Sequence, residues 1–372
     1  MLTVKKSILY FMSASLLFVS CNDDDDDDSA SSAPNYPAEY SAATYEANTT
    51  EEQAYITDLG ALASEMSRTD DSSIVTNQEL LTLWNSTTVK DITPQDYTTV
   101  VENWFQELAD ASGNVYDIDN APTGEGGMIS TRLINEDGVE PEQIVEKGLF
   151  GAALYNKAAQ EIESATDAAI ADKLVALFGA NPSFPNSDNA ASNADKGPAK
   201  YAARRSFADN GLYLDAKNHL IRAQYWLSNG VAVSDNRVSS ELEGFKLAWE
   251  KSNGATIANY IYSTIDKMSG ANPTEKEKGD AIHAYGEAIA FAYGFYYVDP
   301  NQRLISNAEL EQLLETLLFP VNGTTTSYRI LNDPVNALNE IAAGLDQIQS
   351  IYGFTDQEME SFKLNLVNEE GR

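Results

Sequence analysis

Apolar residues recur at spacings of three and four along most of the chain, the period of an amphipathic helix. In Gln53–Ser67 they are Ile56, Leu59, Leu62, Ala63 and Met66, which share one face. Four S/T-x-x-E boxes mark helix starts: Thr76/Glu79, Thr274/Glu277, Ser306/Glu309 and Thr355/Glu358. In each, hydroxyl and carboxylate can satisfy each other's free amides. Thr93-Pro94 and Asp333-Pro334 read as N-caps followed by a first-turn proline, and Gly230, Gly254 and Gly353 as helix stops. The pattern predicts helices over 53–67, 77–86, 94–110, 141–162, 165–178, 197–208, 212–229, 236–253, 255–269, 274–297, 307–318, 335–351 and 356–367.

Strand pattern is confined to Val115–Ile118 and Ile129–Ile134, a small hairpin around the Gly-rich Pro122–Gly127. Long loops fall at Ser112–Glu140, Gly179–Lys196 and Pro320–Asn332. No fixed-period self-similarity is present, which disfavours a solenoid. The expected fold is all-α: an irregular multi-helix bundle over 51–372, with 179–196 the place for a break between two sub-bundles. Thr274–Val298 is threaded with Gly279, Ala281, Ala284, Gly286, Ala288, Ala290, Ala292 and Gly294. A helix so rich in small residues is expected at the centre, closely approached by its neighbours.

The amino terminus has a different pattern. Lys5 and Lys6 precede an apolar run from Ile8 to Val19, then Ser20-Cys21. The run has the length of a signal-peptide core and is short for a membrane span. A small residue before a lone cysteine looks like a bacterial lipobox, with residues 1–20 removed and Cys21 acylated; Phe18 stands where leucine is usual. Asp23–Asp28 must be solvated, and with the Ser, Ala, Asn, Pro and Thr of Ser29–Thr50 they read as a flexible tether over 21–50. The expected location is the outer membrane, facing the cell exterior, with the periplasmic face as the alternative. The partner there is membrane lipid, through the Cys21 anchor.

Composition narrows the chemistry. The formal net charge of -33 repels phosphate backbones and excludes nucleic acid as a natural partner. Cys21 is the only cysteine, so the chain has no intrachain disulfide and no CxxC metal site. HExxH, G-x-S-x-G, the P-loop and GxGxxG are all absent. Asp117–Asn120 only faintly suggests a calcium loop, because Pro122 intrudes.

Only two histidines are present. His283 and Glu287 are four apart on the predicted central helix and leave one face together. Such a pair is half a metal site, or a general base with its orienting partner. The ordinary alternative is a buried histidine satisfied by a neighbouring carboxylate. Asp215 and His219 repeat the pair in reverse order, and if the two helices faced each other the four residues would form an N/O site suited to Zn, Fe or Mn. Without that meeting, His219 is a surface histidine in a local ion pair. The aromatic segments at Tyr225-Trp226, Tyr260–Tyr262 and Phe291–Tyr297 read as core, and any exposed subset could stack on sugar rings.

The lipobox, the acidic tract, Leu177-Phe178-Gly179 before a Pro-containing loop, HAYGEAIAF at His283–Phe291 and DPNQRLISNAELEQLLETL at Asp299–Leu317 together resemble a group of Bacteroidota surface lipoproteins related to the imelysin-like helical proteins. That resemblance implies paired helical bundles and a G-x-H-x-x-E motif, in a family named for peptidase activity. Here Gly279 lies four before His283 and Glu287 four after it, so only His283 and Glu287 carry over as candidates. The expectation is a non-catalytic binding or uptake accessory protein handling a metal, a metal-bearing ligand or a partner protein, with a divalent metal such as Fe or Zn as candidate cofactor. The alternatives are a metal-dependent hydrolase using His283 and Glu287, and a glycan-capturing lipoprotein.

Overall fold

The computed structural model describes residues 34–71, 73–189 and 193–372. The segment expected to be a signal peptide, Cys21 and Asp23–Asp28 lie outside the described residues. The chain folds as α1 (Tyr45–Asn48), α2 (Thr50–Met66) with a 3-10 turn at Ser67–Asp71, α3 (Asn77–Trp84) and α4 (Gln95–Ala111). A hairpin of β1 (Gly127–Ile129) and β2 (Arg132–Ile134) precedes α5 (Pro141–Leu149). The latter runs through a π-helical turn, Phe150–Tyr155, into α6 (Asn156–Ser164). Next come α7 (Ile170–Phe178), α8 (Gly197–Arg204), α9 (Leu212–Ser228), α10 (Asn236–Met268) and α11 (Glu275–Tyr296). The chain ends with α12 (Asn307–Thr316), α13 (Arg329–Asn332), α14 (Pro334–Tyr352), α15 (Asp356–Ser361) and α16 (Leu366–Glu370). The all-α expectation holds, with one two-stranded hairpin among the described residues. No helix among the described residues is long and apolar enough to cross a membrane.

The centre is an antiparallel seam. α10 lies between α9 and α11, and α11 packs on its other side against α5. Small residues set that spacing, as the sequence suggests. A Cβ on Gly294 would overlap the Gly148 carbonyl, so the backbones of α5 and α11 touch there. A Cβ on Gly286 would stand 3.3 and 3.4 Å from the Cβ atoms of Glu140 and Gln143. Where α10 meets the π turn and α7, the buried rings of Trp249, Tyr155, Phe178 and Phe245 pack tilted or edge to face. Burying each such ring contributes about 2–3 kcal/mol.

All four capping boxes form with both reciprocal hydrogen bonds. Other local expectations need correction. Gly254 does not stop a helix: α10 runs 33 residues straight through it. The glycine is there because any side chain would overlap the Tyr352 ring. Neither proline start has a side-chain cap; Asp333 instead accepts from Asn336. The hairpin spans Gly127–Ile134 and turns inside the second predicted strand, Ile129–Ile134, while Val115 makes only an isolated bridge to Met128.

The tether also ends earlier than residue 50. The compact unit spans Tyr36–Arg372. Tyr40 and Tyr45 are buried, and Tyr40, Thr44 and Asn48 all donate to the carboxylate of Asp172 at 2.5–2.7 Å. Nor does 179–196 divide two bundles. Lys196 N donates to Gly179 O at 2.8 Å, and the buried Asp195 accepts from Asn181 N, so the loop closes on itself against the core.

Candidate functional site: a buried ionic cluster on the central helix

Glu140 ends the hairpin segment as the N-cap of α5, and the absence of a side chain at Gly286 lets it lie directly on α11. One turn back along α11 is His283, whose Nδ1 lies 2.9 Å from Glu140 Oε2. Its Nε2 lies 3.7 Å from Glu287 Oε2. The predicted pair therefore meets, and a third residue from another element completes it. Burial alone would lower the His283 pKa, but the charge and hydrogen bond of Glu140, with Glu287 behind, carry it upward overall. The charged imidazolium is thus the favoured form.

Glu287 is 4% exposed and is held from its other side. Tyr201 on α8 donates to its Oε1 at 3.0 Å, and Lys147 Nζ stands 3.8 Å away. Burial works against the Lys147 charge, yet Glu146 and Glu287 more than offset it, and its pKa is raised.

Around Glu140 lie more carboxylates than cations. Asp70, from the turn after α2, and Glu142, in the first turn of α5, each place an oxygen within 4.8 Å of one from Glu140 and of each other. Arg132 on β2 is the local counter-charge, 3.1 Å from Asp70 and 3.8 Å from Glu140. It does not satisfy the group: Glu140, 1% exposed, keeps Oε1 without a hydrogen bond, as does Asp70 Oδ1. A buried acceptor left unpaired costs about 1–3 kcal/mol, more when charged. Burial, then repulsion from Glu140 and Glu146, pushes Glu142 up to about 8, so its proton stays on at neutral pH. Burial also raises Asp70, against the pull of Arg132.

The second histidine belongs elsewhere. His219 Nδ1 lies 2.7 Å from Glu241 on α10, not against Asp215, and its ring fills the space over Gly244. Thr264, on the α10 turn that meets Ala281 of α11, is twenty residues beyond Gly244. At 1.5 Å per residue the two histidines are separated by roughly 30 Å along α10. The four-residue site of His283, Glu287, His219 and Asp215 does not form. Asp117 turns its carboxylate to the amides of Asp119 and Asn120, a local turn and not a calcium loop.

Comparison with protein-family models, with curated proteins and with solved structures finds no match to this chain. The site must therefore be read from its own chemistry. Sequence reasoning missed Asp70, Arg132, Glu140, Glu142, Lys147 and Tyr201, which come from elements far apart in the chain. The one local signal was Glu140-Pro141-Glu142, which puts two carboxylates around a helix start.

Of the aromatic segments, Phe291 and Phe295 are buried, while Tyr225, Trp226, Tyr260, Tyr262, Tyr293, Tyr296 and Tyr297 are half-buried. Tyr36, Tyr225 and Trp226 meet edge to face, and Arg222 and Arg237 lie over the rings of Tyr36 and Trp226. Among the described residues, Phe207 is the only aromatic of the large exposed apolar side chains.

Proposed function

We propose that this protein is a non-catalytic, lipid-anchored cation-binding protein, whose folded part holds a divalent ion between Asp70, Glu140 and Glu142. The observation that carries this reading is the buried Oε1 of Glu140, which has no hydrogen bond and only Arg132 at 3.8 Å, beside the carboxylates of Asp70 and Glu142. Oxygen ligands of a bound divalent ion lie 2.0–2.6 Å from it, so donors within 4.8 Å of one another match such a shell. The ion takes the place of the Glu142 proton and relieves the repulsion that Arg132 leaves uncompensated.

The geometry shifts the choice of ion. Both ring nitrogens of His283 face carboxylates, so the imidazole fixes Glu140 from behind and does not ligate. An all-oxygen set favours Mn, Ca or Mg over Zn. The same orientation supports holding over hydrolysis, because no histidine nitrogen is turned toward a substrate. The Ser20-Cys21 lipobox and the aspartates behind it support display of this domain at the outer membrane.

Elemental analysis tests the reading. Protein equilibrated with Mn²⁺ or Ca²⁺ and desalted is expected to retain about one ion per chain, and Glu140→Gln to lose it. A metal-free protein, or equal loading in Glu140→Gln, contradicts the assignment. For the anchor, Cys21→Ala is expected to move the protein from membrane to soluble fraction, and unchanged membrane association would refute the lipobox.

A further inference from the structure

Beside the ionic cluster, on the far side of Lys147, α2, α5 and α8 enclose an open cleft of about 440 Å³. That is the size of a small-molecule site. Its inner wall is apolar, with Ile56 and Leu59 from α2 and Phe150 from the π turn. Its polar wall is the first turn of α8. There Lys196 is the N-cap, and no side chain caps the amides that follow. Unsatisfied amides at a helix start carry partial positive charge and favour anions.

The charges in the cleft are unevenly committed. Glu146 is paired with Lys147, Asp188 with Arg204, and Asp195 accepts the amides of Asn181 and Ser187. Lys147 itself is held by Glu146 and Glu287 over the Phe150 and Tyr201 rings. Lys196 and Lys200, one turn apart and both lining the cleft, form no ion pair among the described residues. Lys200 is half-buried, and its pKa is lowered by burial first and then by Arg204 and Lys147. Lys196 is exposed at the mouth of the cleft and Lys200 lies deeper, and because Pro198 has no amide the helix start offers those of Gly197 and Ala199.

We propose that this cleft binds a small organic anion, with its carboxylate or phosphate head on Lys196, Lys200 and the start of α8, and its apolar body along Ile56, Leu59 and Phe150. The site is separate from the cation cluster, and each can fail without the other.

Calorimetric titration at low ionic strength tests it, with hexanoate and hexyl phosphate as probes and hexanol as the uncharged control. One saturable site for at least one of the anions is expected, and the stronger of the two identifies the head group. Lys200→Gln should weaken binding about tenfold or more, since a charge-assisted contact is lost. Lys363→Gln and Glu140→Gln should leave it unchanged. No saturable binding, equal binding of hexanol, or unaltered binding by Lys200→Gln would overturn the proposal. Should Lys200→Gln not fold, the Lys200 ¹³Cε resonance of the unmutated protein decides. Its pKa should rise when the bound anion is added, and a pKa that does not move refutes the site.

Discussion

His219 and His283 begin as equals: each sits on a helix with a carboxylate four residues away. The fold then treats them differently. His219 meets one glutamate, Glu241, with Arg222 3.9 Å from the same carboxylate and both side chains partly open to water. His283 meets Glu140, which is buried and crowded by two further acids. The i,i+4 spacing made neither environment. What differs is the third element: at His283 a helix start is laid on α11, delivering Glu140 and Glu142 together. A histidine near a carboxylate is common, and an excess of buried carboxylate behind it is what marks a site.

The sharpest way to break this comparison is at Gly294, where α5 closes on the helix that carries His283, and at Gly244, beneath the His219 ring. Gly294→Ala places a methyl group into the Gly148 backbone, which cannot move without parting α5 from α11. A loss of about 3 kcal/mol is expected in denaturant unfolding. Gly244→Ala meets only the ring of the partly exposed His219, which can swing into solvent. There the change should stay under about 1 kcal/mol, helped by the better helix propensity of alanine.

Next is pH. Glu142 keeps its proton to about 8 in the native state, whereas the unfolded chain releases it near the ordinary glutamate value of 4.5. Between those values the native state binds more protons than the unfolded state, so stability falls as pH rises. The raised His283 pKa works in the same direction, its contribution being lost as pH passes through the native value. Metal-free protein should lose about 2 kcal/mol between pH 5 and pH 8. Glu142→Gln should flatten that slope. A slope unchanged in Glu142→Gln would show that the acid is not the protonated member of the cluster.

Smaller still is the effect of the histidines themselves. His283→Ala should destabilise by about 1.5 kcal/mol by leaving Glu140 a buried charge with only Arg132 near, and should weaken cation binding 10–100-fold. His219→Ala should cost a few tenths of a kcal/mol and leave binding intact. Equal effects from the two would erase the distinction drawn between them.

The elements were more legible than the site, for a physical reason. A capping box is closed by residues three apart, so Thr76, Thr274, Ser306 and Thr355 could be read without knowing the fold. The small residues of α11 likewise announce close packing whatever packs there. Gly254 failed because a glycine that ends a helix and one that admits a tyrosine look alike until Tyr352 is placed. Tyr40, Thr44 and Asn48 read as tether in the sequence because their partner, Asp172, lies more than a hundred residues on. The cluster was out of reach for the same reason: Glu140 and His283 are 143 residues apart, and Asp70 and Arg132 are 62. Sequence identified His283, Glu287 and a helix start at 141, but not that the two meet.

The most direct measurement is anomalous diffraction from a crystal of the protein soaked in Mn²⁺. The account predicts one strong peak at coordinating distance from carboxylate oxygens of Asp70, Glu140 and Glu142, with Arg132 displaced and His283 still bonded to Glu140. A map without that peak, with Arg132 still lying between Asp70 and Glu140 at saturating Mn²⁺, would contradict it.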